Sequence, residues 1–171
     1  KHDADTTEGQ FLNGGEIDFM ETVPTDLLPI LEANPELEID VINQLGYQAI
    51  ARMNWLHPPF DNVKVRQAAL EALGQEPILA ALVGNPDYSQ VCGSMYGCGV
   101  PLETDAGAEP LLDGPSPDKA KKLLEEAGYD GTPVVLMQPT DVRTLIAQPV
   151  VGAQLLRDAG FTVEMQPMGW Q

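Results

Sequence analysis

Met137-Gln138-Pro139-Thr140-Asp141-Val142-Arg143 gathers the polar groups best suited to hold a small molecule. The segment follows a predicted strand and precedes a predicted helix. Arg143 is its only basic residue, and a guanidinium makes a two-pronged, charge-assisted pair with a carboxylate. The competing use is an exposed ion pair with Asp141. Gln138 and Thr140 offer neutral hydrogen bonds. Asn54 and Trp55 end a second predicted strand, and the Trp55 ring either stacks on a bound molecule or packs against protein. Cys92 and Cys98 bracket a glycine-rich loop that carries Tyr96, a further candidate contact.

Covalent chemistry finds little support. There is no Gly-x-Ser-x-Gly elbow, no phosphate-cradling Gly-x-x-x-x-Gly-Lys loop and no His-Glu-x-x-His pair. The histidines are His2, near the chain start, and His57, beside a proline corner. Glu125 and Glu126 share an amphipathic helix with lysines and read as a solvated face. No catalytic residue, metal ligand or cofactor is assigned. Two thiols without a third Cys or a nearby His make a poor zinc site. They form either a disulfide, worth about 2 kcal/mol for so short a loop, or two free buried thiols. A disulfide implies an oxidising compartment.

Charge narrows the partners. Nine Lys+Arg against 26 Asp+Glu give a formal charge of -17. That excludes nucleic acid, whose binding needs cations in place of phosphate counterions. It also disfavours anionic membrane surfaces and is otherwise a matter of solubility. The 171 residues suffice for one domain or one lobe of something larger. No apolar run reaches the ~18 residues of a membrane span. No signal peptide is evident at Lys1-His2-Asp3-Ala4-Asp5, so a leader is expected to have been removed or the chain to be cut from a longer one.

The elements that must position these groups follow from spacing. A short strand or turn-strand is expected over 15–20 and two strands over 37–43 and 47–54, with a helix over 24–33 that Pro29 shortens or kinks. Pro58-Pro59 forms a stiff corner, and Asp61 or Asn62 caps a helix over 63–73 whose Val65, Ala68, Ala69 and Ala72 face a core. A second helix over 76–83 has Pro77 in its first turn. Residues 85–116 are loop-rich and long for a compact domain, hence functional or covered. Ser116 caps a helix ended by Gly128, and a strand over 132–138 follows. A helix over 144–159 kinks or starts late at Pro149, and a strand over 161–165 closes the pattern. Alternating helices and strands give an α/β architecture, a mixed sheet flanked by helices. Arg66 is expected to pair with an acidic neighbour.

Four ordered segments carry a resemblance. The stretch from Asn54 through Pro58-Pro59-Phe60-Asp61-Asn62-Val63-Lys64-Val65-Arg66-Gln67-Ala68 resembles the signature of the family 5 extracellular solute-binding proteins. Phe11-Leu12-Asn13-Gly14-Gly15-Glu16-Ile17-Asp18, Pro117-Asp118-Lys119-Ala120-Lys121-Lys122-Leu123-Leu124 and Gln154-Leu155-Leu156-Arg157-Asp158-Ala159-Gly160 match it in order. The resemblance implies a receptor of an ABC importer. Residues 1–171 would form a single domain, the second lobe of a periplasmic-binding-protein type II (venus-flytrap) fold. The first lobe and the C-terminal return segment would be absent. It also implies a solute, most simply a di- or oligopeptide, captured in the periplasm and passed to an inner-membrane permease. Nickel, glutathione, opines or oligosaccharides are alternatives within the class, and a stand-alone α/β enzyme domain is one outside it.

By the same resemblance, the cleft-facing loop holds a basic side chain that meets a peptide carboxylate, here Arg143. The acidic partner of the peptide amine lies beyond the equivalent of Trp170. Two departures stand out: Trp55 replaces a small polar residue, and Gly74-Gln75 replaces a charged pair.

Overall fold

The computed structural model describes residues 10, 12–23 and 25–170, without the side chain of Arg143. Contacts divide the chain into two units, Lys1–Gln44 and Leu45–Gln171.

In the first unit, Pro29 opens a helix instead of kinking one, because the missing N–H of a proline is no loss in the first turn. The result is a short α1, Leu28–Glu32, with Leu28 and Leu31 buried. The expected helix start at Pro24 lies outside the described residues. Asn34 follows, its Oδ1 accepting from Glu36 N–H (3.0 Å) and its Nδ2 donating to Asn13 Oδ1 (3.0 Å). Residues 15–20 leave a turn at Gly15 through irregular chain with bends at Glu16 and Asp18, and form no strand. Residues 37–43 likewise form no strand. A β-strand exists only through the ladder it shares with a neighbour, and no described residue pairs with them.

The second unit begins with the same correction. Residues 47–54 have no ladder partner among the described residues, and Tyr47–Ile50 are exposed. Asn54 then tightens the corner: its Oδ1 accepts from Leu56 N–H (3.2 Å) and its carbonyl from His57 N–H (3.3 Å). Asn62, not Asp61, caps α2 (Val63–Ala72) through Lys64 N–H at 2.9 Å. Arg66 finds no carboxylate among the described residues. Its Nη1 donates to the carbonyls of Phe60 (2.6 Å) and Asp61 (3.1 Å), so the helix ties down the corner that precedes it.

Gly74 ends the connection to α3 (Gln75–Leu82). A Cβ there would stand 2.5 Å from Pro115 Cδ, so glycine lets two loops touch. A 3-10 turn at Pro86–Tyr88 and a short α4 (Glu109–Leu112) punctuate the long loop. Ser116 begins α5 (Pro117–Ala127) without a side-chain cap, its N–H donating instead to Glu71 O. Gly128 ends that helix in the left-handed region, φ 66°, which favours glycine.

Strand β1 (Val134–Pro139), α6 (Arg143–Asp158) and β2 (Val163–Met168) complete the chain. The helix runs through Pro149 and does not start late. The strands are parallel and in step, from Val134 opposite Val163 to Pro139 opposite Met168. They are the whole sheet among the described residues, with α6 packed on β1, α3 on α6 and α2 on α5. Val65, Ala68, Ala69 and Ala72 of α2 bury themselves against Ala120 and Leu124 of α5, with Val134, Leu156, Ala159 and Phe161 completing the core. Small residues on α2 let the helices approach closely. Tyr129 locks the entry to the sheet: its hydroxyl donates to Thr132 O (2.7 Å) and accepts from Thr162 N–H (3.1 Å).

Candidate ligand-binding edge

Parallel strands joined through a helix leave the loops after their carboxyl ends free to carry side chains, and ligands of open α/β sheets bind at such edges. Here β1 and β2 finish level. The end of β1 presents Gln138 and the chain leaving it Thr140 and Asp141, and the chain leaving β2 presents Gly169 and Trp170. The ladder continues one step further, with Thr140 N–H donating to Met168 O at 2.9 Å and Thr140 Oγ1 to the same oxygen at 3.3 Å. Asp141 Oδ1 accepts from Trp170 N–H at 2.8 Å. Gln138 Nε2 reaches Ile146 O at 3.4 Å. Three of the expected contacts therefore cluster at one edge, and α6 starts at Arg143 beside them.

Asp141 has a use that sequence reasoning missed: it fixes the backbone that carries Trp170. The 65 % exposed Trp170 ring was also overlooked. No signal in the sequence places it, because the expected strand stops at 165 whereas β2 runs to Met168.

The other expected contacts lie elsewhere. Asn54 serves its own turn, and Trp55 is 63 % exposed, which removes core packing within this unit as its use. Cys92 and Cys98 form a disulfide, with Cα atoms 5.9 Å apart, and Tyr96 stands on its outer side. No hydrogen bond, ion pair or ring contact joins Asn54, Trp55 or Tyr96 to the β1 edge among the described residues. Gln75, read from sequence only as a departure, is the anchor of the disulfide loop. Its Oε1 accepts from Cys92 N–H (3.0 Å), and its Nε2 donates to Cys92 O (2.9 Å) and Leu111 O (3.1 Å).

In the first unit, Asn13, Gly14, Asp18, Asn34 and Glu36 are among the residues lining an open hollow of about 270 Å³, and none of its lining residues is an expected contact. Among the described residues, no three His, Cys, Asp or Glu side chains gather as a metal site. Among the described residues, no helix is long and apolar enough to cross a membrane.

Comparison with known proteins agrees with this architecture. The family described as "Bacterial extracellular solute-binding proteins, family 5 Middle" matches residues 2–171. A probable peptide ABC transporter periplasmic-binding protein of Sinorhizobium fredii, y4tO, is 40% identical over 159 residues, 93% of this chain and 30% of that protein. The dipeptide binding protein of Pseudoalteromonas sp. SM9913, solved in complex with Met-Leu, is 27% identical with a TM-score of 0.66, covering 98% of this chain and 33% of that one. The ABC transporter substrate binding protein CtaP of Listeria monocytogenes shares the fold at 20% identity and a TM-score of 0.74, over 97% and 33%. The chain thus spans about a third of the length of these relatives.

Proposed function

This chain belongs to the family 5 bacterial extracellular solute-binding proteins, and from that premise we propose that it is the second lobe of a receptor that captures peptides in the periplasm and hands them to an inner-membrane permease. Such receptors are not enzymes. They hold a solute between two lobes, and the solute favours closure only through tighter binding to the closed form.

The observation that carries this reading is the polar edge at the level ends of β1 and β2, where Gln138, Thr140 and Asp141 stand together. In the proposed complex, Arg143, at the start of α6, meets the peptide carboxylate. Gln138 and Thr140 hydrogen-bond the peptide backbone, and Asp141 steadies the Trp170 segment. Asn54, Trp55 and Tyr96 complete the lining when the lobes close. The absent lobe supplies the remaining walls, including the group for the peptide amine.

The test is native mass spectrometry of the full-length protein, purified without refolding, followed by calorimetry with Met-Leu and with tri- to pentapeptides. Micromolar or tighter peptide binding by the full-length protein, and none by the 171-residue chain, is expected. A full-length protein that carries nickel, an opine or an oligosaccharide and ignores peptides overturns the peptide assignment.

A further inference from the structure

The disulfide loop is fastened unevenly. Its first arm is seated without help from the disulfide. Gln75 clasps both the N–H and the C=O of Cys92. Gly93 lies so close to Ala108 and Leu112 that a Cβ would stand 2.7 Å from Ala108 Cβ. Ser94 is buried, its carbonyl accepting from Gln48 Nε2 at 2.9 Å and its Oγ from Thr104 N–H at 3.3 Å.

The second arm has almost nothing. Met95 and Tyr96 are 84 % and 64 % exposed. Among the described residues, the ties between Met95 and Cys98 are one bond from Gly97 N–H to Ser94 O (3.2 Å) and the disulfide itself. Gly97 sits at φ 93°, a conformation glycine leaves freely once the constraint is gone. Beyond the ring, Gly99 N–H is held by Glu103.

We propose that the Cys92–Cys98 disulfide is a redox-sensitive latch on the tip Met95–Gly97. Opening it releases Tyr96 while Cys92, Gly93 and Ser94 stay in place. The chemistry is thiol–disulfide exchange with a dithiol reductant: the two cysteine sulfurs gain two electrons and two protons, and the dithiol becomes a disulfide. Tyr96 thus acts on a bound peptide only while the latch is shut. This last step rests on the reading of Tyr96 as a ligand contact; the latch does not.

The experiment uses the full-length protein, oxidised and then treated with a dithiol, and reads amide exchange at Cys92 and Gly97. Reduction is expected to speed exchange at Gly97 at least tenfold and to leave Cys92 unchanged. C98S should reproduce the effect without reductant. Gly97 exchange that ignores reduction overturns the latch, as does joint loosening of Cys92 and Gly97. Calorimetry with Met-Leu then isolates Tyr96. Reduction should weaken binding by the wild-type protein and have no effect in Y96A. Equal weakening in Y96A refutes the role of Tyr96. Failure of the oxidised protein to bind any peptide refutes the peptide reading while the exchange result still decides the latch.

Discussion

Asp141 and Trp170 meet across the ends of the two strands: the backbone N–H of Trp170 donates to Asp141 Oδ1 at 2.8 Å, two residues past the last pair of the ladder on each chain. A side chain from the β1 exit therefore extends the pairing of the two strands and ties their exits together. In D141A that N–H loses its protein acceptor, so exchange of the Trp170 amide should rise about tenfold, the loss of one charge-assisted hydrogen bond. D141N keeps an acceptor and should lose less. An unchanged Trp170 amide in D141A contradicts the coupling.

Y129F tests the lock at the sheet entry. The hydroxyl bridges Thr132 O and Thr162 N–H, and its half-buried ring lies 5.6 Å from that of Phe161. Removing the hydroxyl leaves both backbone groups short of a partner, a cost of about 1–2 kcal/mol. Urea unfolding should show a lower midpoint at unchanged slope.

The Gly74–Pro115 contact gives a paired prediction. An alanine at 74 would bring Cβ to 2.5 Å from Pro115 Cδ. G74A should therefore destabilise the protein by about 1–3 kcal/mol through overpacking. P115A in the same background should recover part of that, a coupling measurable by a double-mutant cycle. Simple additivity would show that the two loops do not press on each other.

Acid should loosen two surface ties first. Hydrogen bonding from Lys64, then its charge, holds the Glu126 carboxyl below its ordinary range, and Lys122 adds to this. The hydroxyl and backbone N–H of Thr132 do the same for Asp130. A carboxylate whose pKa is lowered on folding stabilises the fold above its unfolded pKa, about 4, and loses that contribution as pH falls through the folded value. Stability should therefore decline below about pH 4. E126Q and D130N should each flatten part of that decline. Unaltered pH profiles in both variants would contradict the assignment.

Local rules made the helices legible. Val65, Ala68, Ala69 and Ala72 recur at helical spacing, Asn62 offers an oxygen at the right place, and Gly128 can turn left-handed. The residues expected as strands over 37–43 and 47–54 failed for a non-local reason: a strand is defined by its neighbour, and spacing along one chain carries no record of that neighbour. Arg66 and Gln75 were misread or passed over for a related reason. Both bind backbone carbonyls, which every residue has and no sequence marks. The β1 exit was legible because a strand-to-helix turn must place its polar groups at the sheet edge. Trp170 was not, because its place depends on how far β2 runs beside β1.

The even finish of the two strands separates what is grasped from what endures. Val134, Phe161 and the alanines of α2 lie in the sealed interior, whereas Gln138 sits near the end of β1 and Thr140 and Asp141 on the outgoing turn. Under the peptide-receptor reading proposed above, exchanging Gln138 and Thr140 for other residues would redraw the molecular appetite of the protein and leave its foundations alone. Such a division suits transplantation of new specificities into an unchanged chassis, for instance in a sensor built to report a chosen nutrient.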